Sequence, residues 1–262
     1  RPAFIDYMLA TPADSLTIEI VDASARLARR VTSNQRGRGL HRVYWDGRYS
    51  GATVFPGIIL EGGDPRRGPL APPGRYEARL TSWAGGRGVS RNRTLEVRKD
   101  PRAPSVSDAD LHAQFKLALA IRNATTKANE AVIAIRQLTD QLTDRARRAS
   151  DGADGTKAIA PLALALVDSL RAVEGELYQV KNQSSKDKIA FPIKLNDRLT
   201  GLRSNLERGD GAPPAAYYRV YNELSAELNA QLRKLRTLLE RDLAALNKRL
   251  SEARLATVVA GT

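Results

Sequence analysis

Apolar and polar positions repeat with period two up to about residue 97, and with the three-and-four spacing of a helix after about residue 107. Ile5, Tyr7 and Leu9 alternate with Phe4, Asp6 and Met8, and beyond Thr11-Pro12-Ala13-Asp14 the run Leu16-Thr17-Ile18-Glu19-Ile20 alternates as a half-buried strand does. Further strands are predicted at Arg26 to Val31 and Leu40 to Trp45. Another follows Pro72-Pro73-Gly74, with Tyr76, Ala78 and Leu80 on one face and Glu77 and Arg79 on the other. The last is marked by Leu95 and Val97, across the turn Gly85-Gly86-Arg87-Gly88. Several short strands separated by turn signals predict a β-sandwich.

The second pattern predicts helices. Ser107 is an N-cap residue, and Asp108 and Asp110 place negative charge at the positive end of the helix dipole. This helix is expected to run to about Arg148, with the polar stretch 123–127 between two apolar stripes read as a surface-facing turn in preference to a buried polar layer. A second helix carries Ile159, Leu162, Leu166, Leu170, Val173, Leu177 and Val180 on one seam. A third follows Pro192 with Leu195, Leu199, Leu202 and Leu206. The last runs from Tyr217 and Tyr221 through Leu224, Leu228 and Leu235 to Leu250. About four helices with short connections predict an antiparallel bundle.

The change of period falls at Lys99-Asp100-Pro101-Arg102-Ala103-Pro104. The expected organisation is therefore α+β and multidomain: a β-sandwich over 1–100, a linker over 101–106, and a helical bundle over 107–262. Each part is expected to fold when separated near residue 102.

Composition narrows the chemistry. The chain has no cysteine, which excludes disulfides, thiolate metal sites and a cysteine nucleophile. Its net charge is +13, from 42 basic and 29 acidic residues. A basic surface attracts nucleic acid or acidic partners without specificity. No block of five or six consecutive Lys or Arg occurs, so a solvated arginine-rich surface is expected and no specific nucleic-acid site. No apolar run reaches the length of a membrane span. A start at Arg1, with no charged-then-apolar leader, fits a processed protein or a piece of a longer polypeptide, and the second is the expectation.

Three segments carry a resemblance. They are Leu16 to Arg29, Gly39-Leu40-His41-Arg42-Val43-Tyr44-Trp45-Asp46-Gly47, and Pro72-Pro73-Gly74-Arg75-Tyr76-Glu77-Ala78-Arg79-Leu80. Together they resemble the immunoglobulin-like domain of the flagellar hook-capping protein and of many bacterial exported proteins. Ala25 stands where that pattern has glycine, and the insertion from Arg48 to Ala71 has no counterpart in it. The segments Val106 to Phe115, Leu195 to Leu199, Leu224 to Leu228 and Asp242 to Asn247 resemble the carboxyl-terminal region of large bacterial exported proteins with amino-terminal BNR or sortilin-type propellers. The propeller repeat Ser-x-Asp-x-Gly-x-Thr-Trp is absent, so any glycosidase activity of such relatives has no residues to rest on here. The resemblance implies a periplasmic or extracellular bacterial setting, and protein partners in a larger envelope assembly.

Candidate chemistry is sparse. His41 and His112 lie in different parts of the chain and form no ligand pair, and Asp140 and Asp144 sit among Arg136, Arg147 and Arg148, as surface ion pairs do. No catalytic residue, metal ligand or cofactor is expected. The expected function is a non-enzymatic accessory or assembly module. The alternatives are an accessory part of a propeller-type glycosidase-like enzyme and non-specific nucleic-acid binding. Trp45 and Trp83 are read as core or sheet-edge residues. The candidate partner-binding residues are Val54, Phe55, Ile58, Ile59 and Leu60, more apolar than a solvated loop warrants, the alternative being that they pack back on the sandwich; Tyr217 and Tyr221 are a second candidate patch, with packing between the two parts the preferred reading.

Overall fold

Period-two alternation becomes antiparallel sheet. The computed structural model describes residues 3–152, 154–184, 186–187 and 190–259, of residues 154 and 155 the backbone alone. Parts of the connections expected at 152–155 and 182–188 lie outside the described residues. The strands are β1 (Ala3–Leu9), β2 (Ser15–Asp22), β3 (Leu27–Val31), β4 (Gly39–Trp45), β5 (Arg48–Ser50), β6 (Arg67–Leu70), β7 (Gly74–Ala84) and β8 (Arg87–Val97). β1 pairs with β4, the order β3-β2-β7-β8 makes a four-stranded sheet, and β5 pairs with β6. The β7–β8 hairpin turns through Gly85 and Gly86, both at positive φ, so β8 is far longer than its two apolar markers suggested.

Register sets the faces. Ile18, Leu80 and Arg91 form one row across β2, β7 and β8, and Ile20, Ala78 and Arg93 form the next. Tyr7, Leu9 and Val43 of the two-stranded sheet close on Ile18, with Ile5, Val31 and Leu80 at the margin. A second apolar cluster gathers Ile20, Trp45, Tyr49, Tyr76, Ala78 and Phe115. Trp45 is core, and its indole N–H donates to the Arg48 carbonyl at 2.8 Å. Trp83 is partly exposed.

The turn after β2 carries a strained residue. Asp22 Oδ1 accepts the backbone N–H groups of Ser24 and Arg26 at 2.9 and 3.1 Å, and the Tyr49 hydroxyl donates to Oδ2 at 3.0 Å. Burial pushes this carboxyl up, but the Arg26 N–H, the Tyr49 hydroxyl and the Ser24 N–H outweigh it and hold Asp22 below its ordinary value. Ala25 inside the turn has φ of 58°, the left-handed conformation that glycine adopts without strain. That conformation costs an L-residue about 1–2 kcal/mol, against about 0.5–1 kcal/mol for glycine's greater loss of backbone freedom. Ala25→Gly is therefore expected to stabilise the chain by up to about 1 kcal/mol in chemical denaturation. A loss of stability would contradict this account of the turn.

The helices are α1 (Asp108–Ser150), the short α2 (Asp154–Lys157), α3 (Ile159–Leu177), α4 (Leu195–Leu206), α5 (Ala215–Thr237) and α6 (Ala244–Glu252), with a π-helical turn at Leu238–Leu243 joining the last two. Ser107 and Asp110 cap α1 reciprocally: Ser107 Oγ accepts the Asp110 N–H at 3.1 Å, and Asp110 Oδ2 accepts the Ser107 N–H at 3.0 Å. α1 passes unbroken through residues 123–127, where Thr125 is buried, so this stretch is no surface turn. On α3 the buried stripe runs through Ala163, Leu166, Val167, Leu170 and Val173, while Leu162 and Val180 from the expected seam are exposed.

The chain forms two compact units, and their limits differ from the boundary expected at 101–106. The first comprises Arg1–Ala52, Arg66–Arg122 and Asn205–Pro214; the second comprises Thr53–Pro65, Asn123–Ser204 and Ala215–Thr262. The first unit includes the start of α1 because Phe115 packs its ring 4.6 Å from that of Tyr49 and Gln114 Nε2 donates to the carbonyls of Leu206 and Gly209. A change of sequence period marks where strands give way to helix, and packing divides the chain elsewhere. Residues 99–106 are a set of turns, with the Ala103 N–H bonded to the Asp100 carbonyl and Lys99 Nζ to the Val106 carbonyl.

Candidate partner-binding surface

The apolar insertion is the first place where a partner was expected. Its segment Thr53–Pro65 belongs to the second unit, and Phe55 is only 2% exposed. The Phe55 ring stands edge-on to Tyr178 at 4.9 Å, and the Arg136 guanidinium lies 4.6 Å from its centre. Arg136 is held in turn by Glu174, with Nε 2.7 Å from the carboxylate. Val54, Ile58, Ile59 and Leu60 are half-buried.

Hydrogen bonds fix the backbone of this segment along its length. Asn129 Nδ2 donates to the Thr53 carbonyl at 2.7 Å, and Asn196 Nδ2 donates to Asn129 Oδ1 at 2.9 Å. The Tyr178 hydroxyl accepts the Ile59 N–H at 3.2 Å. The Asp197 carboxylate takes the N–H groups of Glu61 and Gly62 at 2.9 and 2.6 Å, and Arg203 donates to the Asp64 carbonyl. Gly62 lies so close to Gly201 that a Cβ there would fall 2.6 Å from the Gly201 nitrogen. Asn129, Asn196, Asp197 and Thr200 are buried, and they form the polar layer to which the 123–127 stretch leads. The reading of Phe55 as a docking residue is thus corrected. An apolar run bounded by flexible residues looks alike in sequence whether it meets a partner or its own chain, and here the carboxylate and amides that clasp it lie more than 70 residues away.

Tyr217 and Tyr221 are half-buried on one face of α5, and no hydrogen bond or ring contact joins them to residues 54–60 among the described residues. The structure does not bring the two predicted patches together.

A surface missed in the sequence lies on the two-stranded sheet. Phe4, Met8, Leu40 and Tyr44 are 62–74% exposed and stand on its outer face. Register pairs Phe4 with Tyr44, Asp6 with Arg42, and Met8 with Leu40. Arg42 bridges Asp6 at 2.6 Å and sits 5.3 Å above the Phe4 ring, so an ion pair occupies the middle of an apolar patch. The Arg42 hydrogen bond and charge hold the Asp6 carboxyl below its ordinary value. The outer face of the four-stranded sheet is of the usual kind, carrying Glu19–Arg30 and Glu77–Arg79 ion pairs. The signal was present in the sequence: Phe4 and Met8 occupy positions where a strand with one wet face carries polar residues.

Other features are self-satisfied. A cleft of about 740 Å³ in the first unit is lined by Trp45, Phe115, Gln114 and Glu207, but Gln114 and Glu207 are committed to Leu206, Gly209, Leu70 and Arg48. His41 and His112 bond to carbonyls of their own neighbourhoods at 2.7 Å, and Asp144 pairs with Arg145, Arg147 and Arg148. Among the described residues no group of three or more His, Asp or Glu is arranged to hold a metal ion. Among them too, no helix is long and apolar enough to cross a membrane. Compared with family models, with curated proteins and with solved structures, the chain matches none.

Proposed function

We propose that this chain is a non-enzymatic accessory or assembly module of an exported bacterial protein, acting by protein contact in the cell envelope. The observation that carries the reading is the outer face of β1 and β4. Four large apolar side chains in two cross-strand pairs flank the Asp6–Arg42 ion pair and form one exposed patch, and such patches mark contact surfaces. The partner surface is apolar where it meets the Phe4–Tyr44 and Met8–Leu40 pairs, with polar groups between them facing Asp6 and Arg42.

The finer fold reading is an immunoglobulin-like sandwich followed by a helical bundle. It is supported by the apolar cluster shared between two antiparallel sheets, by Gly47 at positive φ after Trp45-Asp46, and by Tyr76 of the Pro-Gly-x-Tyr strand start, whose ring lies 5.3 Å from that of Trp45. The exported bacterial setting rests on the resemblance to carboxyl-terminal regions of propeller proteins.

The reading is tested by native size in extracts of the source cell after nuclease treatment. The unaltered chain is expected in a larger assembly, and the Met8→Ser/Tyr44→Ser chain at the size of the free protein. Unchanged size for the variant would overturn the assignment to this face. Release by nuclease would point instead to attraction of nucleic acid by the +13 charge.

A further inference from the structure

The sheet of β1 and β4 is narrower than the four-stranded sheet, and the remaining pair, β5 and β6, lies on the side of β3. β4 lies against β3, at one end of the four-stranded sheet, so β1 is the strand directed toward β7 and β8. At about 4.8 Å per strand, two strands cover about half of four. The inner face of the wider sheet is therefore left open at β8. Leu95 and Val97, at one end of that strand, reach the core, but residues 87–94 are exposed although half of them share the inward face. Those inward positions hold Arg87, Val89, Arg91 and Arg93, with Val89 47% exposed.

Two further facts make this open face a slot. Among the described residues β1 has a strand partner on one side only, so its other edge presents backbone N–H and C=O groups that no strand takes up. Arg87, Arg91 and Arg93 form no ion pair among the described residues, whereas Arg30 and Arg79 on the opposite face of the same sheet pair with Glu19 and Glu77. The levels also agree. Ile5 borders both the cluster that holds Ala78, in the row of Arg93, and the one that Leu80 borders, in the row of Arg91, and Tyr7 belongs to the second.

We propose that the free edge of β1 takes up one further strand, an extended acidic segment of a partner protein, whose inward side chains two residues apart pair with Arg93 and Arg91. Main-chain bonding to β1 supplies register and the two carboxylates supply selectivity, each able to accept a paired set of guanidinium N–H groups. The segment alternates Asp or Glu with apolar residues, the apolar ones continuing the outer face of Phe4 and Met8. This inference rests on the protein-contact reading and names the chemistry of one partner segment.

The test uses the full chain and a fluorescent nine-residue peptide of alternating Glu and Val, read by anisotropy. Two control peptides are compared: one with Lys for Glu, and one N-methylated at alternate backbone nitrogens so that charge remains and ladder bonds do not. The Glu/Val peptide is expected to bind at least tenfold more tightly than either. Arg91→Glu/Arg93→Glu is expected to lose at least tenfold for it and to gain affinity for the Lys peptide. Arg233→Glu/Arg236→Glu, an equal change of charge on exposed positions of α5, leaves binding unaltered. Equal binding of the N-methylated peptide, equal loss in both variants, or no binding of the Glu/Val peptide would overturn the proposal; in the last case the arginines only guard the edge. Loss of this binding with the native assembly intact defeats the strand proposal alone, and the reverse defeats the outer-face reading alone.

Discussion

Glu207→Ala is expected to destabilise the first unit by about 3–5 kcal/mol, because it strands a buried arginine. Arg48 and Glu207 face each other at 3.2 Å with side chains 10% and 8% exposed. Glu207 also accepts the Leu70 N–H at 2.7 Å, and Arg48 donates to the Gly68 carbonyl at 2.8 Å. The pair thus pins β5 and β6 to the segment that follows α4. Its net worth relative to apolar residues is small, since both charges were taken out of water. The cost appears when one partner is left alone. Arg48→Met/Glu207→Leu is therefore expected to recover most of the stability lost in Glu207→Ala. Urea denaturation of the two variants checks this, and equal destabilisation would mean that shape rather than charge is at issue.

Phe55→Ala is expected to cost a similar amount, about 3–5 kcal/mol, in the second unit. It removes the ring from between Tyr178 and Arg136, leaves a cavity, and unseats the segment that Asn129, Asp197 and Arg203 hold by its backbone. Hydrogen exchange is expected to accelerate first in Thr53–Pro65 and then in the α3 residues around Tyr178. A cost below about 1 kcal/mol, with exchange unchanged, would return Phe55 to the surface role first expected of it.

Much of the architecture was legible because periodicity is local. Alternation from Phe4 to Leu9 and from Leu16 to Ile20 located two strands, and Ser107 with Asp110 located the start of α1 within a residue. What escaped depended on pairing between distant residues. β5 and β6 are too short to show a pattern, and β8 is nearly all polar because it lies at an edge beyond the cover of the narrower sheet. The interruption at 123–127 is legible only with Asn196 and Asp197 in view, since a buried polar layer and a wet turn have the same composition. The same limit applies to the candidate surface. Val54 to Leu60 stands out in sequence as an apolar run between flexible flanks, whereas Phe4, Met8, Leu40 and Tyr44 are each ordinary alone and only the register Phe4 to Tyr44 and Met8 to Leu40 makes them one patch.

That patch is probed most directly by a photo-activatable side chain at position 8, with a second at the exposed position 248 as reference, in the native cell. The account predicts a discrete cross-link to one envelope protein from position 8, lost when Tyr44 and Leu40 are changed to Ser, and none of that mass from position 248. Cross-linking from position 248 alone, or from position 8 only to nucleic acid, would contradict it.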